Sequence, residues 1–525
     1  MAVDDAEPAA QTRFAWHPEP ELIGFGDPSA RAALEDLGRE AWSAALDYLY
    51  DHAFVRAMGE PAGYAELRQT FFGQSGRPAP PPDDPTPSSE LFDEFRRRVA
   101  PHQLNAYHPR SLSYFTPPPL AMSVVGELLA QVTQQGVDVW HAGPLATFVE
   151  EEVVRWLCDL VGYEEASFGI LTSGGVMANF LAMALVRDVR LAALRGLNAP
   201  PRGAALEGAR VYTSDQTHFS IARALDELGF PPETLVVLPT DDRFRLHPEP
   251  VAEAIADDRA AGLTPVAVSA VAGSTNTGSV DLIEPLAELA RREGLWFHVD
   301  AAYGAAARLS PQHRARVPAL ELADSVTVDP HKWFFQAYDI GGLMVRDGSL
   351  LQRTFGRKQP EYYRGGEGPA GAPKPEDDHD VPGQLNFYKL GFEGTRRWRA
   401  LKLWMSWKHV GTRGFGRLVA DTIELAELLA QRCAASDDFE ALPPEPELSV
   451  VCFRHRPPGL EAGRALDDHQ DRLQAALEAD GDGWLSTTKL GGSTWLRAGI
   501  VNTHTTPADI DRLLTTLRRL AEDLP

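Results

Sequence analysis

The chain has 525 residues, which corresponds to about three or four average domains or to fewer large ones. A hydrophobic fraction of 44%, with 11 Trp and 23 Phe, supplies a large core and excludes wholesale disorder. Lysine and arginine total 50 against 74 aspartate and glutamate, a formal charge of -24, and no local basic patch is visible. Because so acidic a surface repels phosphate backbones, we expect no nucleic-acid partner.

The cysteines and the N-terminus bear on the cellular compartment. Cys158, Cys433 and Cys452 are widely spaced and odd in number, which fits neither a disulfide framework nor a Cys-x-x-Cys metal site. The first residues are acidic where a secretion signal would be basic, and no apolar run approaches the roughly 20 residues of a membrane-spanning helix. These features predict a soluble cytoplasmic protein without a bound metal or a membrane partner.

The N-terminal part, residues 1–115, has the pattern of a helical arm. Apolar residues recur at helical spacing over 30–57 and 90–100, and a proline-rich stretch at 77–89 separates them. The apolar faces of such helices would lie in water unless they pack on the rest of the chain or on a partner subunit. We therefore interpret this part as an arm that contributes to dimerisation.

Residues 116–410 predict an α/β domain. Short β-rich runs without a clear polar face alternate with helical stretches, which is typical of strands covered by helices on both sides. A large, doubly wound, mostly parallel sheet of seven strands follows. Arg291, Arg292 and Gly294 mark the end of one connecting helix. The seven runs are 166–172, 210–214, 234–238, 265–271, 295–299, 324–328 and 341–345.

Two further features follow the last predicted strand. Residues 352–384 are polar and rich in glycine and proline, which predicts a mobile loop within the α/β domain. A strong helix is predicted around 396–407. Residues 411–525 then show helix, strand at 448–455, helix, strand and a final amphipathic helix, the pattern of a small α+β domain.

Polar residues and glycines follow four of the predicted strands. Ligands of open α/β sheets bind just beyond the carboxyl ends of the strands. Gly174 and Gly175 follow the first run, His218 the second, Asp300 the fifth and Lys332 the sixth. Each is weak evidence alone, but together they are the parts needed to hold pyridoxal phosphate as a Schiff base.

The chemistry of this cofactor suggests a role for each polar residue. Lys332 would link to the cofactor, which requires a neutral amine and an environment that lowers its proton affinity. Asp300 would pair with the pyridine nitrogen and keep it protonated. His218 would stack on one face of the ring, and Ala302 is small enough to pack under the other face.

The phosphate group needs a separate site. The main-chain amides of Gly175 and Val176, at the start of a predicted helix, would bind it with help from His331. The sequence around them lacks the Gly-Lys-Ser/Thr element of a Walker loop.

Four strings resemble the group II pyridoxal phosphate-dependent amino acid decarboxylases, which include the aromatic amino acid decarboxylases. HPRSLSYFT at 108–116 and NTHTTPADID at 502–511 extend the resemblance over nearly the whole chain. Asp-Ala-Ala-Tyr followed about thirty residues later by Asp-Pro-His-Lys-Trp is highly specific. The strings are YTSDQTHFS (212–220), WFHVDAAYG (296–304), ADSVTVDPHKW (323–333) and RRWRALKLW (396–404).

The resemblance implies a fold-type I homodimer with active sites shared at the dimer interface. By position it makes Lys332 the Schiff-base lysine and adds Thr275 and Asp329 to the cofactor site. The family places a proton-donating tyrosine in the mobile loop, which corresponds to Tyr362 or Tyr363 here.

The chain also departs from the aromatic members of this family. Asp329 replaces a frequent asparagine, and an extra carboxylate beside a phosphate is unfavourable unless it faces away. Tyr114 and Phe115 resemble pocket-lining positions and favour an aromatic substrate. Asp138 falls where aromatic members have apolar rings, and favours a substrate with a cationic or hydrogen-bonding side chain.

The leading hypothesis is decarboxylation of an L-amino acid, aromatic in the first place, to its amine and carbon dioxide. One alternative is a polar, acidic or cationic substrate. Another is oxidative deamination to an aldehyde, which in this family accompanies loss of the loop tyrosine or the stacking histidine. A third is a non-catalytic scaffold that retains the cofactor for stability.

Overall fold

The computed structural model describes residues 31–60, 62–73, 75–357 and 384–524. The chain divides into two compact units, one ending at Asn105 and one beginning at Ala106. The three predicted domain ranges, 1–115, 116–410 and 411–525, stay predictions. Among the described residues, no helix combines the length and apolarity needed to cross a membrane.

The first unit is helical. α1 covers Arg31–Asp47, α2 Tyr64–Phe72 and α3 Ser88–Glu94. α1 continues through a π-helical turn to Ala53, and α3 does so to Val99. The proline-rich chain between α2 and α3 has neither helix nor strand, because proline fixes φ and lacks an N–H. Helix therefore occupies most of the two stretches whose apolar spacing predicts it.

A seven-stranded sheet forms the centre of the second unit. Its strand order is β1-β7-β6-β5-β4-β2-β3. β7 is antiparallel to both neighbours, and all other pairs are parallel. All seven predicted strands are confirmed, with ends that differ by at most two residues. They are β1 Phe168–Thr172, β2 Ala209–Ser214, β3 Leu235–Leu238, β4 Thr264–Val271, β5 Trp296–Asp300, β6 Ser325–Val328 and β7 Gly341–Val345.

Both faces of this sheet are covered. Phe297 and Val299 of β5 belong to one hydrophobic core and Trp296 to another, because successive side chains of a strand point to opposite faces. Burial on both faces explains why the predicted runs lack a polar side. The helices of this region are α4 Ala121–Thr133, α5 Pro144–Val161, α6 Gly175–Leu185, α7 Ala192–Leu194, α8 Ser220–Glu227, α9 Pro248–Ala260, α10 Ile283–Glu293 and α11 Ser349–Phe355.

Two predicted boundaries in this region have different outcomes. α10 ends as expected, with Arg291 and Arg292 in its last turn and Gly294 in the left-handed conformation at φ 65°. The sequence predicts a loop from residue 352, but α11 continues to Phe355. Leu351 is buried and Phe355 packs against the same core, so this segment stays helical. Residues 358–383 of that loop lie outside the described residues.

The C-terminal part combines three helices with a four-stranded antiparallel sheet. Its strand order is β10-β11-β9-β8. The single strand predicted after the second helix is instead the hairpin β10–β11, whose turn contains Gly491 and Gly492 at positive φ. The elements are α12 Ala400–Ala434, β8 Phe439–Ala441, β9 Val450–His455, α13 Arg464–Asp480, β10 Ser486–Leu490, β11 Ser493–Gly499 and α14 Pro507–Glu522.

Candidate active site

The carboxyl ends of β4, β5 and β6 lie side by side. Val271 of β4 is in register with Asp300 of β5, and Asp300 is in register with Thr327 of β6. Residues at and beyond these strand ends enclose a cavity of about 370 Å³. Its position agrees with the rule that open α/β sheets bind ligands beyond their carboxyl strand ends.

Ten of the predicted site residues line this cavity. They come from points between residues 115 and 332, and the parallel strands bring them together. Among the described residues, no cluster of three or more His, Cys, Asp or Glu side chains has a metal-binding arrangement. The ten residues are Phe115, Gly175, Val176, His218, Thr275, Asp300, Ala302, Asp329, His331 and Lys332.

The main chain forms one wall of the cavity where β1 meets α6. A Cβ atom on Gly175 would lie 2.7 Å from Asp329 Oδ2, and one on Gly174 would lie 3.1 Å from His331 Cε1. The wall therefore has no room for side chains at these two positions. The start of α6 presents the amides of Gly175 and Val176, an arrangement that fits a phosphate group.

Asp329 faces this wall and does not turn away from it. Its Oδ2 atom accepts a hydrogen bond from Gly175 N at 2.9 Å and lies 3.1 Å from Lys332 Nζ. The side chain is buried, and its Oδ1 atom has no hydrogen-bond partner among the described residues. A carboxylate at this position competes with a phosphate for the first amide of α6.

The environment of Lys332 differs from the sequence-based expectation. Burial lowers the pKa of Lys332, but attraction to Asp329 and Asp300 outweighs burial and places the pKa above its ordinary value. The expected low proton affinity of this amine is therefore wrong for the described chain. The physical reason is the carboxylate of Asp329, which the tertiary structure places beside the amine.

Both cavity histidines favour the neutral form. Burial lowers the pKa of His218 and of His331. Ile340 N donates to His331 Nδ1 at 3.3 Å, so the proton of this neutral imidazole lies on Nε2. Neutral imidazoles can pack against an aromatic ring without the cost of burying a charge.

Asp300 is a buried carboxylate with donors on both oxygens. Asn179 Nδ2 donates to its Oδ2 at 2.8 Å, and Ala302 N donates to its Oδ1 at 3.1 Å. These two bonds fix the direction of the carboxyl group. A carboxyl group held at the floor of the cavity, together with Lys332 and the start of α6, fits the ring nitrogen, aldehyde and phosphate of pyridoxal phosphate.

The predicted substrate residues are not all in this cavity. Phe115 lines it. Tyr114 is exposed and packs edge-on against Trp484 at 4.9 Å, and Asp138 is half-buried in the chain before α5, where its main-chain oxygen accepts from Tyr388 N. Neither lines the cavity within this chain, so both stay predictions. Tyr362 and Tyr363 lie outside the described residues.

Sequence reasoning assigned no role to several residues that lie at or behind the cavity. Asn179 bonds to Asp300 and is the one polar side chain in the otherwise apolar helix α6, a signal visible in the sequence. Tyr303 lines the cavity and stacks on Phe115. Arg497 lies behind Phe115, with its guanidinium carbon 4.8 Å from the ring centre. It is the one charged residue of β11, although nothing in the sequence places it near the cavity.

Comparisons with known sequences agree with this geometry. The model of the pyridoxal-dependent decarboxylase conserved domain matches residues 74–456. An aromatic-L-amino-acid decarboxylase of Bacillus atrophaeus is 33% identical, over 84% of this chain and 87% of that protein. An L-2,4-diaminobutyrate decarboxylase of Acinetobacter baumannii is 28% identical over 80% and 81%, and a human cysteine sulfinic acid decarboxylase is 29% identical over 82% and 85%.

Solved structures confirm the predicted fold. Mouse cysteine sulfinic acid decarboxylase is 27% identical, with a TM-score of 0.83 over 95% of this chain and 100% of that chain. A rice enzyme solved with pyridoxal phosphate and tryptamine has a TM-score of 0.84 at 24% identity, over 95% and 99%. The chain therefore belongs to the pyridoxal-dependent decarboxylases, fold-type I carboxy-lyases that use pyridoxal phosphate to act on amino acids.

Proposed function

We propose that this chain decarboxylates an aromatic L-amino acid to its amine and carbon dioxide. The observation that carries the aromatic substrate is a stack of rings at the cavity. Phe115 stacks on Tyr303 with ring centres 4.2 Å apart, and Tyr303 stacks on Trp333 at 4.6 Å. Because the stack fixes Phe115, an incoming aromatic side chain meets an ordered ring, a contact typically worth about 0.5–1.5 kcal/mol.

In this proposal four side chains serve the cofactor ring. Pyridoxal phosphate supplies a conjugated ring that accepts the electron pair left when carbon dioxide departs. Lys332 attaches the cofactor, and Asp300 holds a proton on the ring nitrogen. His218 stacks on one face, and Ala302 packs under the other. The burial of Asp300 and its two donors support this assignment.

A second set of residues holds the phosphate. We assign Gly175 and Val176 to it through their main-chain amides, and Thr275 and His331 through their side chains. All four line the cavity, and the Nε2 proton of His331 makes that nitrogen a donor. Asp329 does not belong to this set: we assign it to the cofactor site as the counter-charge of Lys332.

Tyr362 and Tyr363 are the proposed sources of the proton that the α-carbon receives after carbon dioxide leaves. Replacing both by phenylalanine should cut amine formation and open the oxidative route to the aldehyde. Product analysis by mass, with peroxide measured in parallel, tests this. Amine formation at the parental rate would place the proton donor elsewhere. Each single replacement is the control that separates the two tyrosines.

A second candidate substrate is an acidic amino acid, and Arg497 favours it. Arg497 is buried, and its Nε donates to Thr275 O at 2.7 Å. Its Nη2 atom has no hydrogen-bond partner among the described residues. Arg497 does not itself line the cavity, but its unpaired donor directly behind Phe115 suits a substrate carboxylate or sulfinate. A cationic substrate, the third possibility, depends on Asp138, which lies outside the cavity of this chain.

We also propose that the protein is a homodimer. α4 and α5 of the second unit carry several large apolar side chains that are exposed. Single exposed apolar residues are normal on a protein surface, but such a group on two helices is not. Such a surface is typical of a subunit interface. The exposed residues are Val125, Leu128, Leu129, Val132, Leu145 and Phe148.

A panel of L-amino acids tests the substrate. Purified, cofactor-loaded protein is incubated with aromatic, acidic and cationic members, and products are identified by mass. We expect amine and carbon dioxide from tyrosine, tryptophan or dihydroxyphenylalanine. Turnover of glutamate or cysteine sulfinate alone would favour the acidic candidate, and turnover of diaminobutyrate alone the cationic one. Either result would reject the aromatic proposal.

A further inference from the structure

Asn179 lines the cavity and bonds to four side chains. Its Nδ2 atom donates to Asp300 Oδ2 and to Ser220 Oγ, each at 2.8 Å. Its Oδ1 atom lies 2.6 Å from Thr327 Oγ1 and 3.1 Å from His298 Nε2. Asn179, His298, Thr327 and Ser220 are all buried, so no water competes for these bonds.

The chemistry of these groups fixes the orientation of the amide. A carboxylate only accepts hydrogen bonds, so the edge of Asn179 that meets Asp300 must be the NH₂ group. The oxygen then faces His298, whose Nε2 must carry a proton to donate. Burial lowers the pKa of His298 to about 4, which leaves one ring proton for that task.

The far end of the network agrees with this assignment. Trp296 Nε1 can only donate, and it lies 3.0 Å from Ser325 Oγ. Ser325 is then free to donate its own proton to His298 Nδ1, 2.9 Å away. The contact of Trp296 is therefore compatible with the His298 tautomer that the Asp300 end indicates.

The same amide reaches the second cavity residue through Ser220. Ser220 Oγ accepts from Asn179, so its single proton is available to His218 Nδ1 at 2.8 Å. Ser220 N lies 3.4 Å from the same ring nitrogen. With Nδ1 accepting, the proton of neutral His218 lies on Nε2.

We propose that Asn179 is a positioning residue that sets two catalytic groups at once: it holds the side chain of Asp300 in its direction towards the cofactor ring, and through Ser220 it helps to place the His218 proton on Nε2. His298 and Thr327 lock the amide so that it cannot flip and present oxygen to Asp300. This inference rests on the proposed roles of Asp300 and His218 and extends them to residues outside the cavity floor.

Asn179→Asp tests the first half because it keeps the shape and removes the donor. The new carboxylate retains His298 and Thr327 as donors but meets Asp300 oxygen to oxygen, so the pair must share a proton. Asp300 would then hold the proton on the ring nitrogen of the cofactor less tightly. As a result, the side-chain nitrogen through which Lys332 attaches the cofactor would keep its own proton up to a higher pH. Asp329, Lys332 and His331 are unchanged.

The readouts for this variant need no substrate. We expect cofactor affinity to fall about tenfold, as for loss of a hydrogen bond to a charged group. The visible absorbance of the bound cofactor changes with pH, and we expect the midpoint of that change to move upwards by about one pH unit. Asn502→Asp is the matched control, because Asn502 is also buried and also donates through Nδ2, but to main-chain oxygens of Ala106 and His108.

The result that would overturn the first half is a parental affinity and midpoint in Asn179→Asp, or an equal shift in Asn502→Asp. If Asn179→Asp does not retain the cofactor, Thr327→Val is the substitute test, because it removes one of the two donors that hold the Asn179 amide in place. We then expect a smaller upward shift, and an unchanged midpoint rejects the proposal. A protein that decarboxylates no amino acid would reject the proposed function without affecting these absorbance measurements.

Ser220→Ala tests the second half. Asp300 keeps its donor, so the absorbance midpoint should stay parental. His218 loses its hydroxyl partner at 2.8 Å and keeps only the longer contact with Ser220 N at 3.4 Å, so its tautomer is held less firmly. We expect kcat to fall about tenfold with little change in KM, and the acid limb of the kcat profile to move. A parental kcat profile in this variant would remove His218 from the inference.

Discussion

Asp329 lies between two groups that both attract its charge, the amide of Gly175 and the amine of Lys332. Its second oxygen is buried without a partner among the described residues, a state that usually costs about 1–3 kcal/mol. An asparagine of the same shape would still accept from Gly175, but it would remove the charge beside Lys332. The carboxylate therefore acts on Lys332 by its charge.

The variant Asp329→Asn should speed attachment of the cofactor at neutral pH. Removing the carboxylate lowers the pKa of Lys332, since attraction to Asp329 is the largest cause that raises it. A larger fraction of neutral amine should raise the attachment rate roughly tenfold at pH 7. Stopped-flow absorbance on cofactor-free protein measures this rate, and Asp347→Asn, an exposed carboxylate elsewhere, is the control.

The rate difference has a defined pH dependence. It should shrink as the pH rises towards the pKa of Lys332 in the parental protein, because the amine then becomes neutral in both proteins. Equal rates at every pH would show that Asp329 does not hold Lys332 in the charged form.

At the scale of elements, one buried ion pair joins three segments. Arg396 bonds to Glu150 of α5, and it also donates to Leu171 O of β1 and to Val137 O, both at 2.8 Å. Both charged side chains are fully buried. These bonds explain why the helix predicted from residue 396 begins only at Ala400, since Arg396 is used to connect other elements.

Arg396→Met should destabilise the fold by about 3–5 kcal/mol, because it leaves the Glu150 charge buried without its partner. Denaturant unfolding followed by circular dichroism measures the loss. The double variant Arg396→Met/Glu150→Leu should recover part of it, since no uncompensated charge remains. A double variant less stable than the single one would show that the hydrogen bonds, and not the charge, carry the stability.

At the scale of the whole molecule, exposed apolar helices bear on assembly. Leu129 of α4 and Leu197 are each 41% exposed, but Leu197 lies outside the surface formed by α4 and α5. If that surface forms the dimer, Leu129→Asp should raise the dissociation constant at least tenfold, because it buries an unpaired charge. Leu197→Asp should leave it unchanged. Sedimentation over a concentration series distinguishes these outcomes, and equal effects would reject this interface.

The free energy of unfolding should also depend on pH through Asp281. Burial raises its pKa to about 7, although Leu246 N and Val271 N each donate to it at 2.7 Å. Between its unfolded pKa and about 7 the folded state binds more protons, so this group makes stability fall as pH rises. Asp281→Asn should flatten that slope between about pH 4 and 7. An unchanged slope would mean that Asp281 does not titrate in this range.

The sequence by itself determined the strands, the cofactor and much of the site. The seven runs are buried on both faces and are therefore nearly continuous apolar segments. Such segments can be recognised as strands in the sequence without knowledge of the tertiary contacts. Asp300 ends β5, and His218 and Lys332 lie in the segments that follow β2 and β6. Parallel strands carry such residues to one edge of the sheet. The cofactor could therefore be inferred from the residues at the strand ends, and the family from the resemblance of the four strings at 212–220, 296–304, 323–333 and 396–404.

Only the tertiary structure decided how these residues are charged and held. The pKa of Lys332 depends on a carboxylate 3.1 Å away, and the state of Asp300 depends on Asn179, a residue more than one hundred positions earlier. Arg497 belongs to the C-terminal sheet, and only the tertiary structure brings it behind Phe115. Electrostatic and hydrogen-bond effects act over a few ångströms in space, and the sequence does not specify which distant side chains come that close.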